Sequence, residues 1–164
     1  MMWFYRFWTQ ESKAYRNMQI ALPFLTLNFL IPSMSYFFFP EVAIAQFKQI
    51  GQMLGASHYP LSEQSHIWRV LAASNVFTLG MMCLFLQLNI QRFYAIIPVF
   101  TILKGYSALG FLYVFIFQLH YPVFLAVFFY DSLAVFLVLF FGMRAYANLK
   151  SVDLEKLVPS LKLN

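Results

Sequence analysis

Four long apolar runs dominate this chain, over about residues 20–39, 67–88, 94–118 and 123–146. Each reaches the ~20 residues that a helix needs to cross the hydrocarbon core of a bilayer. No water is available there, so a spanning segment of this length satisfies its own backbone only as an α-helix. Composition agrees, since 62% of the 164 residues are hydrophobic and 10% are charged, against roughly 45–50% and about 25% in soluble domains. A small soluble domain cannot hide that much apolar surface. The expected fold is an all-α integral membrane protein, a four-helix transmembrane bundle forming one domain, with the lipid bilayer as its first partner.

The connections punctuate these runs. Residues 1–19 mix Trp3, Phe4, Phe7 and Trp8 with Arg6, Lys13 and Arg16, the composition of a segment lying flat at the headgroups. They do not form a signal peptide, because the apolar run comes later and lacks a small-residue cleavage site. Pro23 falls in the first turn of span 1, Pro32 deeper, where it is expected to kink the helix, and Pro40 at its end. Between spans 1 and 2, Glu41 to Leu54 sets Val42, Ala45, Ile50, Met53 and Leu54 among polar neighbours, which predicts a short amphipathic helix. Residues 55–64 then read as loop, with Pro60 as punctuation. Residues 89–93 and His120–Tyr121–Pro122 make tight turns, and residues 147–164 a polar tail.

Orientation follows from the basic residues. Arg6, Lys13, Arg16, Arg92, Arg144, Lys150, Lys156 and Lys162 fall on one side of the spans, with only Lys48 and Arg69 on the other. The positive-inside rule then puts both termini in the cytoplasm and the helix after Pro40 on the exterior. Trp3, Trp8, Phe93, Tyr94 and Tyr146 would form the inner aromatic belt, and Tyr36, Tyr59, Trp68 and Tyr121 the outer one.

Within the spans, strong polar groups are few. Lys104 and Asp131 lie on consecutive spans at depths that differ by under roughly 10 Å at 1.5 Å per residue. Asn28 and Asn75 fall near the same level, so each helix is expected to add one polar group to a central layer. On span 3, Thr101, Lys104, Ser107 and Ala108 share a stripe at spacings of three and four. Arg69, Ala72, Asn75 and Thr78 share one on span 2. Charged groups in lipid are costly and tend to be paired or working. The pair is therefore read as an ion pair fixing helix register, with a proton or ion relay, or a pocket for a ligand head group, as alternatives. Arg69 enters from the exterior face, where it would snorkel to phosphates, pair with Glu41 or Glu63, or grip an anionic ligand.

Function classes can be excluded more readily than chosen. A single cysteine, Cys83, rules out an intrachain disulfide and a Cys-x-x-Cys pair, and inside a span it reads as a small hydrophobe. His58, His66 and His120 all map to the exterior side, which makes them candidates for a metal site there, but their spacing follows no metal motif. No phosphate-binding loop, dinucleotide fingerprint or nucleophile elbow is present. The formal charge of +5 comes from residues flanking spans, so membrane topology explains it and nucleic acid is not expected as a partner. The residues name no cofactor.

Three features together carry a resemblance. Span 1 ends in Phe39–Pro40–Glu41, span 2 opens with Trp68–Arg69–Val70–Leu71–Ala72 and continues to Thr78–Leu79–Gly80, and span 4 carries Asp131 in its outer half. The chain resembles the small four-span bacterial membrane proteins grouped as DoxX-like, with Asn75 departing from the smaller residue expected there. The resemblance implies a four-helix bundle in a bacterial inner membrane with both ends inside, in a group where some members are accessory subunits of membrane oxidoreductases. The expected function is a multi-pass protein without catalytic chemistry, an accessory or stabilising subunit partnered by other membrane protein subunits. The alternatives are a binder or carrier of a small amphipathic ligand such as a lipid or quinone, and an ion or proton transporter.

Overall fold

A computed structural model describes residues 12–56 and 66–151, and their side chains except those of residues 66–69 and 149–151. Every regular element among the described residues is helical: α1 Lys13–Phe38, α2 Pro40–Met53, α3 His66–Leu88, α4 Ile90–Phe93, α5 Ile96–Phe117 and α6 Pro122–Ser151. Local chemistry sets the boundaries. The Ser12 hydroxyl accepts from the Tyr15 N–H at 3.3 Å and caps α1. Pro40 opens α2, where a missing N–H costs little. Gly55, at φ 89°, closes α2 in the left-handed region, and the Ala56 N–H donates to the Gly51 carbonyl at 2.9 Å. Asn89 caps α4 by accepting from the Arg92 N–H at 3.0 Å.

The helices outrun the apolar segments at two places. Residues 13–19, expected to lie flat at the interface, are instead the first two turns of α1. Ser12 starts the helix there, and Met18 and Gln19 are buried against the rest of the bundle. The last helix continues past Tyr146 to Ser151, into what read as tail. Residues 1–11, 57–65 and 152–164, with the aromatic and basic residues assigned to them, lie outside the described residues.

Helix α1 packs along both α3 and α6, and α5 packs along α6, whereas α3 and α5 touch at few positions. The α1–α3 pair is antiparallel with a register set by polar residues. Gln19 Nε2 donates to the Gln87 carbonyl at 2.7 Å, and Ser33 Oγ donates to the Ala73 carbonyl at 3.0 Å. The two bonds are fourteen residues apart on both helices, about 21 Å at 1.5 Å per residue. Midway between them Gly80 lies against Leu30, so close that a Cβ there would sit 2.7 Å from Leu30 Cδ2. Small residues and interhelical hydrogen bonds are what hold helices together in lipid, where apolar burial no longer distinguishes a partner from a tail.

Met18, Leu22, Leu25 and Phe29 of α1, Leu79, Cys83 and Leu86 of α3, Ile97 and Phe100 of α5, and Ala134, Val138 and Ala145 of α6 form the core. The spacings of three, four and seven mark one inward stripe per helix. The outward stripes are equally apolar: Ile20, Phe24, Leu27, Ile31 and Met34 on α1, and Ile102 and Phe117, 72% and 71% exposed, on α5. Among the described residues, four helices are long and apolar enough to cross a membrane, yet no more than 33% of the residues in any of their apolar windows are buried. Water would not tolerate such a surface, and hydrocarbon would. The protein is an integral membrane protein.

Helix α2 seats itself differently from its sequence pattern. Val42, Ala45, Ile50, Met53 and Leu54 are exposed, while Ala43 and Gly51 are buried and Ile44 and Phe47 half-buried. Phe47 stacks on Tyr36 with centroids 6.0 Å apart, and the Tyr121 hydroxyl donates to the Phe47 carbonyl at 3.4 Å. Tyr121 covers Gly51 so closely that a Cβ there would collide with its hydroxyl oxygen. Gly51→Ala is therefore expected to push Tyr121 aside and undock α2. Amide hydrogen exchange should rise over residues 40–53 while the four long helices keep their protection; unchanged exchange would remove Gly51 as the seat.

Candidate functional site

On α5, Ile97, Phe100, Lys104 and Ala108 are buried at steps of three and four. On α6, Asp131, Ala134 and Val138 do the same. Lys104 and Asp131 thus occupy core positions of the two inward stripes, so packing aims them at each other. Lys104 Nζ donates to Asp131 Oδ1 at 2.5 Å, and Ser107 Oγ donates to Asp131 Oδ2 at 2.7 Å. The Lys104 ammonium also lies 4.8 Å from the ring centroid of Phe29, a cation–π contact supplied by α1. Phe29 is held in turn by Phe100, 6.0 Å away, and edge-on by Tyr130 at 6.1 Å.

Asp131 is 1% exposed, with both carboxylate oxygens occupied; Lys104 is 7% exposed. A buried ion pair in good geometry with its remaining sites hydrogen-bonded offsets much of the desolvation cost that either charge alone would carry. Each carboxylate oxygen thus accepts one hydrogen bond from α5. No group of three His, Cys, Asp or Glu able to hold a metal occurs among the described residues.

The central layer is smaller than the spacing suggests. Asn28 is half-buried and donates from Nδ2 to the Phe24 carbonyl of its own helix at 2.8 Å, the back-bond a short amide makes when no neighbouring helix offers an acceptor. Asn75 is exposed and joins neither charge. Ala72, Asn75 and Thr78 do share one face of α3, but all three are exposed. Thr78 Oγ1 donates to the Ser74 carbonyl at 2.9 Å, whereas Asn75 makes no hydrogen bond to another described residue through its side chain. Arg69 lies on α3 with its side chain outside the described residues. His58 is also outside them, and His66 opens α3 with its side chain undescribed. His120 is exposed, 5.8 Å from the Phe115 ring. Cys83 is buried in the core, the place of a small hydrophobe.

Sequence spacing put Ser107 on the Lys104 stripe only as a small residue, and its bond to Asp131 went unread. The signal available was a hydroxyl three positions after the lysine. Gln19, Thr26 and Ser33 were also missed, although they repeat at intervals of seven on the α1 face toward α3. Thr26 Oγ1 and the Tyr130 hydroxyl are buried without a hydrogen-bond partner. Phe29 had no signal to separate it from twenty other phenylalanines.

The inward side of α3 is buried along its length, at Ala73, Leu79, Cys83 and Leu86, and the exposed Ala72, Asn75 and Thr78 line the side next to it. No family model, curated protein or solved structure matches this chain.

Proposed function

We propose that this protein is a non-catalytic subunit of a larger membrane assembly, joined to its partner subunits through the exposed polar side of α3. The observation that carries this is Asn75. Its carboxamide is exposed about five residues, roughly 8 Å, inside the apolar stretch of α3 that starts at Val70. An amide with no partner in hydrocarbon costs on the order of several kcal/mol. A partner helix lying against Ala72, Asn75 and Thr78 would remove that cost. The burial of Asp131 and Lys104 against each other favours a structural part for the ion pair over a relay.

The finer placement belongs to the same proposal. The excess of Lys and Arg on the side of the spans that holds the 89–93 turn supports cytoplasmic termini, and the resemblance to DoxX-like proteins implies a bacterial inner membrane. Helix α2 then lies on the exterior side as an interfacial amphipathic helix, with Val42, Ile50, Met53 and Leu54 turned toward lipid. The resemblance to DoxX-like proteins rests on the residues quoted for it and on the four-span layout.

Extraction from native membranes in mild detergent should give a particle larger than the chain alone. Asn75→Leu should shift it to the monomer, and Asn75→Gln, which keeps the amide, should not. A wild type that runs as a lone monomer, or an Asn75→Leu variant that keeps the full assembly, would end the proposal.

A further inference from the structure

The end of the bundle that carries α4 gathers arginines from three elements onto one level. Arg16 lies three residues beyond the Gln19–Gln87 bond on α1, and Ile90 lies three residues beyond it after α3. Ile90 faces Gly142 of α6, and Arg144 follows two residues later, while Arg92 follows Ile90 by two on α4. All three side chains are exposed, and Lys13, a turn further out on α1, is exposed as well. Among the described residues this end holds no carboxylate, and the only ion pair among them is Lys104–Asp131.

Two of the guanidiniums are held by aromatic rings. Arg144 lies 4.4 Å over Phe140, and Arg92 lies 5.7 Å over Phe93, itself stacked on Phe85 at 5.2 Å. A guanidinium over a ring keeps an N–H edge that can fork onto two oxygens of a phosphate. Neither side chain has an acceptor for that edge among the described residues.

We infer that this arginine ring is a docking surface for the phosphodiester headgroups of anionic phospholipids. Unlike a zwitterionic headgroup, whose ammonium balances its phosphate, an anionic one brings net negative charge to the ring. The acyl tails would run along the exposed Phe136, Phe140 and Met143 of α6, whose 55%, 38% and 50% exposure continues directly from Arg144. Each basic residue at a membrane surface adds to the attraction toward anionic lipid.

The test is native mass spectrometry of the full chain in mild detergent, titrated with phosphatidylglycerol or phosphatidylcholine. Phosphatidylglycerol should be retained about tenfold better, the ratio that roughly 1.4 kcal/mol gives. The Arg92→Gln/Arg144→Gln variant should fall to the phosphatidylcholine level, and the matching double lysine variant should lie between. Unchanged helical circular dichroism confirms that these variants fold. Equal retention of the two lipids by the wild type would overturn the inference, as would full retention by the glutamine variant. Displacement of phosphatidylglycerol by millimolar inorganic phosphate, or by an acidic peptide at equal concentration, would overturn it in favour of those ligands.

Discussion

Lys104→Met is expected to destabilise the bundle by about 3–5 kcal/mol, the usual cost of leaving one partner of a buried ion pair uncompensated. Asp131 would keep only Ser107 at a site where it is 1% exposed. Asp131→Leu should cost a similar amount, because the ammonium would retain little but the Phe29 ring. The double variant Lys104→Met/Asp131→Leu should recover most of the loss, returning to within about 2 kcal/mol of the wild type. Thermal or dodecyl sulfate unfolding in mild detergent reads all three. The non-additivity is the informative part, since residues that act as a pair couple and independent ones do not. Additive losses would mean that the two charges do not compensate each other in the folded protein.

Gly80→Leu is expected to open the α1–α3 seam. The added Cβ would meet Leu30 Cδ2 at 2.7 Å and Leu30 Cγ at 2.8 Å, with the Leu30 backbone nitrogen at 3.4 Å. An alanine can be admitted if the Leu30 side chain swings away, so Gly80→Ala should be mild. The rest of a leucine cannot be admitted without parting the helices, at about 1–3 kcal/mol for overpacking alone. The bonds from Gln19 to Gln87 and from Ser33 to Ala73 lie seven residues either side of this point, so both should lengthen together. Hydrogen exchange along α1 and α3 should then rise at both ends of the seam. Exchange and unfolding indistinguishable from the wild type would show that the close approach at Gly80 does not set the helix spacing.

The spans themselves were readable because twenty apolar residues in a row admit few alternatives. The Lys104 stripe was readable too, because a lysine flanked at steps of three and four by Thr101, Ser107 and Ala108 stands out from phenylalanine and leucine. Direction was not readable on α3. Ala72, Asn75 and Thr78 do lie along one face, but in a membrane protein the lipid side is as apolar as the core, so periodicity alone cannot say which side turns inward. In water the exposed face would have been charged, and the direction obvious. Helix α2 failed for a related reason. Its seat is made by shape, with Gly51 under Tyr121 and Phe47 on Tyr36, while the larger aliphatic residues face outward. The early start of α1 was legible in principle, since Ser12 is a good cap, but the aromatic and basic residues around it argued for an interfacial segment.

The ion pair inside the membrane is the claim on which the rest depends. Solid-state NMR of protein labelled with 15N at lysine side chains and 13C at aspartate carboxyls, reconstituted in lipid bilayers, observes it directly. A dipolar coupling between Lys104 Nζ and Asp131 Cγ should appear at a separation of about 4 Å or less, the range of an ion pair in contact. It should vanish in Lys104→Met. Assigned signals from both residues in folded protein, with no coupling between them, would contradict this arrangement.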